Sequence, residues 1–534
     1  MDPRIPPADQ CVLRYVLDRH AAEQPDKVFA RFHDASEWTY ADMLMRARRI
    51  SGALHKLGLR QGEKVFGWLP NGKDFLEGWF GTNYMGGVFV SANIAYRGGI
   101  LEHAINLATA RIGIIHADLL PRLKEIDVSH LEQVIVIGGP AHGEYKGLVL
   151  HDAAMLQEDH EPAPLDRPIE PWDDVYVIYT SGTTGPSKAV LSSYVHAYSF
   201  FSEGFPDLVG RDERHLIFLP MFHAGGTAPT YSQLMTGGSV AIVESFKTSE
   251  VWDTIRKHRA TTACLLGVMA PFLLKQPESP DDRTHTLKAV SITPLSEDAR
   301  EFGKRFGVGL CTGYGMSELC APVTSGLNPG KLGISGRLRP GFQVRLVDDH
   351  DNEVPVGEVG EFTIRAERPW QLLTEYYGNP EATAKAWRNG WFHTGDLLRM
   401  DEEGYFYFID RKKDAMRRRG ENISSHEVEM EVLKHPLVRE AAAYAAKSEI
   451  AEDEVMISLS LKEGSSLEYR DLIDFLVPRM PHYMVPRYVR IVGELPKTPT
   501  GKITKDELRK EGVTADTWDR EAEGIIIKRQ KVGA

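Results

Sequence analysis

Apolar positions in the first 180 residues follow two different periods. Residues 40–57 carry apolar side chains three or four positions apart, which predicts an amphipathic helix that ends before Gly58. Short apolar runs bounded by turn residues predict strands, and these runs lie at 64–70, 111–117, 133–139 and 175–180. Helical patterns separate the runs, and such alternation is typical of a layered α/β architecture.

From about residue 335 the pattern changes to short strands separated by polar turns, as in FQVRLVDDHDNEVPVGEVGEFTIR and EEGYFYFIDR. This pattern favours a small antiparallel or barrel-like β subdomain. The charged stretch DRKKDAMRRRGENIS, at 410–424, is typical of a solvated hinge between domains. Strand-like and helix-like segments after it indicate a compact α+β tail.

The predicted fold is therefore α/β and has two domains. A large N-terminal domain, residues 1–409, combines layered α/β subdomains over about 1–335 with the barrel-like β subdomain over about 336–409. Residues 410–424 form the hinge and the start of the tail, and a small mobile α+β lid domain covers 411–534. A chain of 534 residues with 42% hydrophobic residues is long enough for this division, since domains usually hold about 100 to 200 residues.

The net charge of −12 argues against a diffuse nucleic-acid-binding surface, so an anionic cofactor must be held locally. The four cysteines are scattered without CxxC or zinc-ligand spacing, which predicts free buried thiols rather than disulfides or a metal knuckle. The first residues lack a basic start followed by an apolar segment, and no stretch reaches the ~20 apolar residues that span a bilayer. A cytoplasmic enzyme without a membrane span is the resulting prediction.

The most informative segment is VYVIYTSGTTGPSKAV, residues 175–190. An apolar strand leads into a turn rich in hydroxyls and glycines, followed by one cation, Lys188. Glycines let backbone N–H groups approach phosphate oxygens, while hydroxyls and the lysine add further donors. The Walker A pattern GxxxxGK[ST] is absent from the sequence, so a different polyphosphate-binding turn is indicated. Taken alone, the segment is equally compatible with an ordinary Gly/Ser/Thr loop.

Further segments follow in a fixed order: PMFHAGG (220–226), GYGMSE (313–318), WFHTGD (391–396), DRKKD (410–414), RRGENIS (418–424) and PKTPTGKI (496–503). Together with the 175–190 segment, they resemble the adenylate-forming superfamily, which includes acyl-CoA synthetases, adenylation domains and luciferases. The resemblance covers essentially the whole chain, and the sequence segments are most similar to those of crotonobetaine/carnitine-CoA ligases. Two segments depart from the family pattern: SITPLS (291–296) stands where GGAPL is common, and Tyr194 where a histidine often follows the signature turn.

The resemblance implies a role for each matching residue. The phosphates of ATP would be held by the signature turn, at Thr180, Ser181, Gly182, Thr183, Thr184 and Lys188. Other nucleotide contacts would come from Tyr314 beside the adenine, Ser317 on the α-phosphate, Asp396 and Arg411 on the ribose, and Gly420. Glu318 would bind Mg2+, and Lys502 would be the adenylation lysine. Cations are needed because a carboxylate that attacks the α-phosphate brings negative charge onto negative charge.

The second half of the reaction is implied in the same way. His223 stands where acyl-CoA ligases have an aromatic or histidine gate, in place of the aspartate that binds an amino acid, and Lys413 occupies the hinge position. Gly225, Gly226, Gly267 and Met316 would line the acyl pocket. The run Lys412, Lys413, Arg417, Arg418 and Arg419 would hold the CoA phosphates or form a solvated charged face; both readings stay open. A Ser-bearing GGxS segment is absent from the C-terminal residues, which favours a free-standing ligase.

The predicted function is that of a carboxylate:CoA ligase with ATP, Mg2+ and coenzyme A as cofactors and a small-molecule carboxylic acid as substrate. The enzyme would form an acyl-adenylate, rotate its tail and pass the acyl group to the CoA thiol. The alternatives are adenylation with another acceptor, an aryl, amino or bile acid substrate, a luciferase-type oxidation, and a catalytically silent nucleotide-binding protein. The acid itself stays open, and a homodimer is a mild expectation.

Overall fold

The structure is a computed structural model that describes residues 2–145, 147–180, 186–267, 269–411, 415–418, 421–447, 453–496, 503 and 505–528. The first part of the chain alternates strands and helices. Its strands are β1 (Val28–Phe32), β2 (Glu37–Thr39), β3 (Lys64–Trp68), β4 (Val88–Ser91), β5 (Ile112–His116), β6 (Gln133–Ile137), β7 (Val149–Asp152), β8 (Asp174–Thr180), β9 (Lys188–Ser193), β10 (Arg214–Ile217), β11 (Ser239–Ile242), β12 (Thr262–Leu266), β13 (Ala289–Thr293) and β14 (Gly309–Cys311).

Helices cover these strands and connect them. The α-helices are α1 (Ala8–Cys11), α2 (Leu13–Glu23), α3 (Tyr40–Lys56), α4 (Lys73–Tyr84), α5 (Gly98–Ala108), α6 (Tyr194–Phe201), α7 (Ala224–Thr236), α8 (Val251–His258), α9 (Met269–Leu274) and α10 (Glu297–Phe306). Short 3-10 helices lie at Ala117–Glu125, Ala153–Gln157 and Pro206–Leu208.

The later elements form an antiparallel region and then the tail. The antiparallel region holds β15 (Gly313–Met316), β16 (Cys320–Thr324), β17 (Gly336–Leu338), β18 (Phe342–Val347), β19 (Val359–Ala366), β20 (Glu375–Tyr377), α11 (Pro380–Ala386), β21 (Trp387–Arg388), β22 (Trp391–Met400) and β23 (Tyr405–Arg411). The tail holds β24 (Ala415–Arg418), β25 (Glu421–Ser424), α12 (Ser425–Leu433), β26 (Val438–Lys447), β27 (Asp453–Leu461), α13 (Tyr469–Leu476), β28 (Tyr488–Ile491), α14 (Lys505–Glu511) and β29 (Trp518–Asp519).

Two mainly parallel sheets form the framework of the large domain. The first sheet has the strand order β14-β13-β12-β10-β11-β1-β2, and the second has the order β20-β9-β8-β4-β3-β5-β6-β7. In the second sheet, β8 and β9 pair antiparallel around the signature turn, and β20 pairs antiparallel with β9. This layered α/β architecture confirms the predicted fold class, and the strands predicted at 64–70, 111–117, 133–139 and 175–180 are all present.

Helix α3 shows why its segment folds locally. Thr39 accepts a hydrogen bond from the backbone N–H of Asp42, and the Asp42 carboxylate accepts one from the N–H of Thr39. This capping box satisfies donors that the first helical turn leaves without partners. At the other end Gly58 has a φ of +91°, a conformation that favours glycine and stops the helix. The helix predicted over 40–57 is confirmed.

The third sheet, β15-β16-β17-β23-β22-β19-β18 with β21 beside β22, is antiparallel, as its sequence pattern predicts. It begins at Gly313, earlier than the start near residue 336 that the sequence pattern of short strands and polar turns predicts. Strands β15 and β16 pair across the turn that contains Ser317 and Glu318. Their few residues include two glycines and no long apolar run, so the pattern of hydrophobic positions does not reveal them.

The tail is an α+β unit that packs against the large domain. Its sheet has the order β26-β27-β28-β29, and β24 with β25 forms a separate hairpin. One continuous hydrophobic cluster includes Phe89 and Ile135 of the second sheet together with Ile423 and Val428 of the tail. Burial of apolar surface therefore stabilises this orientation of the tail. None of the helices in the described residues is long and apolar enough to cross a membrane.

Candidate active site

The signature turn lies at the carboxyl end of strand β8. Thr180 ends that strand, and Lys188 begins β9, so the two predicted contacts flank the turn. Ser181, Gly182, Thr183 and Thr184 lie outside the described residues. The ammonium of Lys188 lies 4.4 Å from the centre of the Tyr376 ring. This end of the sheet therefore carries the cation that the sequence predicts beside a polyphosphate.

Glu318 is fixed by the segment around strand β20. Its side chain is buried, with 4% of the residue exposed, and its Oε1 accepts a hydrogen bond of 2.8 Å from the Tyr376 hydroxyl. The main-chain oxygen of Glu318 accepts a second bond, of 2.8 Å, from the N–H of Leu373. In the same turn Met316 packs against the core of the third sheet, while Ser317 faces the cavity described below.

Tyr314 and Asp396 are brought together from different segments of the third sheet. The Tyr314 hydroxyl donates to Oδ2 of Asp396 over 2.8 Å, and both residues are buried. The strand register places Arg411 opposite Asp396 in the β22–β23 pair. The residues predicted to bind adenine and ribose are thus neighbours, as one nucleoside site requires. Their individual roles stay predictions.

A small cavity of about 60 Å³ lies between the large domain and the tail. The large domain contributes Asn93, Tyr96, Tyr179, Thr180, Ser187, His223 and Ser317 to its wall, and the tail contributes Glu421, Glu427, Tyr483 and Met484. Predicted nucleotide contacts and the predicted gate therefore share one cavity with side chains of the tail. We call it the interdomain cavity.

Three polar contacts cross the domain boundary at this cavity. Nε2 of His223 lies 2.8 Å from Oε2 of Glu421. The N–H of Ser187 donates to Oε1 of Glu427 over 2.7 Å, and Nδ2 of Asn93 donates to the Tyr483 hydroxyl over 2.9 Å. The contacts of Ser187 with Glu427 and of Asn93 with Tyr483 are buried, so they favour this orientation of the tail more strongly than the partly exposed contact of His223 with Glu421.

Glu427 is a carboxyl group of this boundary with a strongly raised pKa. Only 6% of the residue is exposed, and burial raises its pKa from the ordinary 4.5 to about 7, although the hydrogen bonds from Ser187 act in the opposite direction. The negative charge of Glu431 raises the pKa further. The carboxyl group therefore titrates near neutral pH in this orientation.

A larger cleft of about 320 Å³ lies next to the interdomain cavity, and Asn93, Glu421 and Tyr483 line both. Its wall also carries four basic or titratable side chains: Arg97, Arg122, His482 and Lys528. Burial lowers the pKa of Arg122 to about 10, and the positive charge of Arg97 lowers it further. Arg97 and Arg122 thus place two partly buried guanidinium groups in the wall of this cleft, and these would favour an anionic group in an otherwise acidic protein.

Close backbone packing explains two of the predicted pocket glycines. A Cβ at Gly226 would lie 2.6 Å from the Pro220 oxygen, and one at Gly267 would lie 2.9 Å from the Thr293 oxygen. Glycine is needed at these two positions because neighbouring backbone approaches closely. A Cβ at Gly225 would meet only the Leu219 side chain, with Cδ1 at 3.0 Å. These glycines are therefore no guide to the size of the acyl group.

The predicted basic run is only partly described, and one of its members has a different role. Arg418 is buried, with 2% exposed; its Nε pairs with Glu454 at 2.6 Å, and its Nη1 donates to the Tyr483 oxygen over 3.1 Å. The hypothesis that Arg418 holds CoA phosphates is therefore wrong, because the guanidinium is enclosed within the tail. Lys412, Lys413, Arg419, Gly420 and Lys502 lie outside the described residues.

Several residues of the site were not predicted from the sequence. Ser187 and Glu421 lie inside the quoted segments 175–190 and 418–424, so the motifs contained them without indicating their contacts. Glu427, Tyr376 and Asn93 belong to none of the quoted segments. Their contacts join distant parts of the chain: 240 residues separate Ser187 from Glu427, and 390 separate Asn93 from Tyr483.

Comparison with known proteins gives matches along most of the chain. The profile of the AMP-binding enzyme family matches residues 17–377, and that of the AMP-binding enzyme C-terminal domain matches residues 427–502. The crotonobetaine/carnitine–CoA ligase of Salmonella heidelberg (strain SL476) is 29% identical over 516 residues, which cover 93% of this chain and 98% of the relative.

Two solved structures of one enzyme, o-succinylbenzoate CoA synthetase from Bacillus subtilis, share the fold. A double mutant bound with its product analogue OSB-NCoA has a TM-score of 0.80 at 22% identity, covering 93% of this chain and 98% of the other. The same enzyme in complex with AMP has a TM-score of 0.66 at 22% identity, covering 94% and 99%. The TM-score therefore differs between two structures of one enzyme that hold different ligands.

Proposed function

The chain belongs to the AMP-binding enzyme family, and from that premise we propose that it is an ATP- and Mg2+-dependent carboxylate:CoA ligase. In the first step an oxygen of the substrate carboxylate attacks the α-phosphorus of ATP, and pyrophosphate leaves. In the second step the sulfur of CoA attacks the acyl carbon, the acyl–oxygen bond to AMP breaks and the thiol proton is lost. The products are an acyl-CoA thioester and AMP.

The described residues fit a nucleotide with its metal ion. Glu318 would hold Mg2+, which supplies positive charge to the phosphates. Its carboxylate accepts a hydrogen bond from the neutral phenol of Tyr376, and carboxylate oxygens are ligands that Mg2+ prefers. Within the described part of the chain, no group of three or more His, Cys, Asp or Glu side chains could hold a metal. A magnesium ion would therefore share its coordination with phosphate oxygens and water, as Mg2+ commonly does.

The observation that carries the CoA step is the position of the basic cleft beside the interdomain cavity, with three lining residues in common. The cleft could admit a long anionic cofactor from the surface, while Arg97 and Arg122 favour its phosphates. The inner end lies beside His223 and Ser317, where the acyl-adenylate is predicted. The contact between His223 and Glu421 draws the gate side chain toward the tail.

The orientation of the tail also favours the CoA step. The TM-score between this chain and the Bacillus subtilis synthetase is higher when that enzyme is bound with its product analogue OSB-NCoA than when it is in complex with AMP, although the sequence identity is 22% in both cases. A difference of this kind follows when the two domains of one protein rotate against each other. The arrangement of this chain therefore supports a state related to thioester formation, with adenylation in a second orientation.

The substrate class is a small-molecule carboxylic acid of undefined structure. Relatives named crotonobetaine/carnitine–CoA ligase make a short or medium acid the first choice. An aryl, amino or bile acid remains an alternative, and so do an acceptor other than CoA and a silent nucleotide-binding protein. The described geometry favours none of these alternatives.

AMP release over a panel of carboxylic acids tests the function directly. We expect release that needs ATP, Mg2+ and CoA together, with the matching acyl-CoA detected by mass. AMP release that is independent of CoA would favour another acceptor. If no acid supports ATP:pyrophosphate exchange, the protein is a silent nucleotide-binding protein and the proposal fails.

The raised pKa of Glu427 predicts that docking of the tail depends on pH. In the docked orientation burial raises the pKa of this group from the ordinary 4.5 to about 7, and a tail that exposes Glu427 on undocking would bind the proton less tightly. Docking is therefore most favourable below pH 4.5 and weakens as pH rises toward about 7. Energy transfer between fluorophores on the two domains should fall over this window, and Glu427→Gln should flatten the curve.

Two further variants sharpen this test. Ser187→Ala removes a donor that lowers the Glu427 pKa, so the transition should move to higher pH. Glu523→Gln changes an exposed tail carboxylate and should keep the wild-type curve. If energy transfer in Glu427→Gln changes with pH as it does in the wild type, the transition does not belong to Glu427.

A further inference from the structure

Tyr376 contacts two groups that the proposed reaction needs. The residue lies in strand β20 and is 4% exposed. Its hydroxyl donates to Oε1 of Glu318 over 2.8 Å, and the ammonium of Lys188 lies 4.4 Å from the centre of its ring. One side chain thus connects the predicted metal carboxylate with the cation of the signature turn.

The backbone around Tyr376 strengthens this link. Strand β20 pairs with β9, and Tyr376 lies opposite Val190, two residues beyond Lys188. On the other side, the N–H of Leu373 donates to the main-chain oxygen of Glu318 over 2.8 Å. The segment 373–376 therefore holds both the main chain and the carboxylate of Glu318, while its strand is hydrogen-bonded to the strand that Lys188 begins.

We propose that Tyr376 is a positioning residue for the metal–nucleotide complex: its hydroxyl orients the Glu318 carboxylate, and its ring holds the Lys188 ammonium beside the phosphates. The inference rests on the proposed function and adds a residue to the same site. A phenol suits this task because it donates one hydrogen bond without neutralising the carboxylate, whereas an arginine or lysine would compete with the metal ion. A ring face likewise attracts an ammonium while leaving its N–H donors for phosphate oxygens.

Tyr376→Phe tests this inference because it removes the hydroxyl and keeps the ring. The affinity for a non-hydrolysable ATP analogue is measured by calorimetry with and without Mg2+. We expect about a tenfold loss of affinity in the presence of Mg2+, because the Glu318 carboxylate loses a charge-assisted hydrogen bond that orients it toward the metal. Without Mg2+ the affinity should change little, because Glu318 then makes no metal-mediated contribution to nucleotide binding. The Mg2+ requirement of adenylation should rise in parallel, while the CoA step from supplied acyl-adenylate should stay unchanged.

Tyr377→Phe is the matched control. It makes the same chemical change at the next residue, whose hydroxyl lies 2.6 Å from Oγ1 of Thr109 near the surface. This variant should bind nucleotide like the wild type, with and without Mg2+.

Three results would overturn the positioning role: equal affinity losses with and without Mg2+, wild-type behaviour of Tyr376→Phe, or a loss that Tyr377→Phe reproduces. Thermal unfolding of both variants shows whether a loss comes from a less stable fold. Failure of the proposed function itself would look different, because the wild-type protein would then support no ATP:pyrophosphate exchange with any acid.

Discussion

Lys502→Ala is expected to slow acyl-adenylate formation by about a thousandfold, since removing a preorganised cation from a phosphoryl transition state commonly costs 10²–10⁵ in rate. The attacking carboxylate and the departing pyrophosphate are both anionic, so the reaction needs positive charge at phosphorus. The TGKI motif carries this prediction, because Lys502 lies outside the described residues. Conversion of supplied acyl-adenylate with CoA should keep a rate near that of the wild type.

ATP:pyrophosphate exchange measures the first step, and thiolysis of synthetic acyl-adenylate measures the second. Lys505→Ala is the matched control, since it removes a lysine three positions away. Nζ of Lys505 donates to Oγ of Ser425 and pairs with Glu429, so its loss should affect both steps alike through the stability of the tail. ATP:pyrophosphate exchange at the wild-type rate in Lys502→Ala would contradict the proposed function.

Arg418→Ala is expected to lower the free energy of unfolding of the tail by about 3–5 kcal/mol, the usual cost of breaking a buried ion pair by removing one partner. The guanidinium is enclosed, pairs with Glu454 at 2.6 Å and donates to the main-chain oxygens of Tyr483 and Val485. Its removal would leave the Glu454 carboxylate buried without its main partner. The loop at 483–485, which lines the interdomain cavity, would also lose its support.

Denaturant unfolding of Arg418→Ala, followed by a probe in the tail, measures this loss. Arg439→Ala is the control, because that side chain is 46% exposed and should contribute less than about 1 kcal/mol. A variant with wild-type stability and weakened CoA binding would instead restore a CoA-binding role for Arg418.

The sequence was a reliable guide wherever neighbouring residues decide the structure. Helix α3 follows from its periodic apolar positions and the stop at Gly58, and strand β8 follows from its unbroken apolar run. The motifs also contain Tyr314, Glu318 and Asp396, which the structure places in buried contacts of one region. A motif preserves the order of chemical groups, so it predicts which groups are present even when their distances are unknown.

The sequence was a poorer guide to the size of the acyl pocket and to the role of the basic run. Gly226 and Gly267 suggest open space when read alone, but the structure shows neighbouring backbone at these positions. Arg418 suggests a solvated charge, but carboxylates brought from Glu454 and Glu521 enclose it. In each case the meaning of the residue depends on atoms supplied by a distant segment.

The amino-acid sequence by itself determined the chemical inventory of this protein: a phosphate-binding turn, an acidic metal ligand, a tail lysine and the alternating elements that carry them. Only the tertiary structure decided that Ser187 meets Glu427, that His223 meets Glu421, and that Tyr376 joins Glu318 to Lys188. Helices and strands arise from local periodicity and capping. The titration of Glu427 and the burial of Arg418 arise from desolvation and charge pairing between distant segments, which no local pattern records.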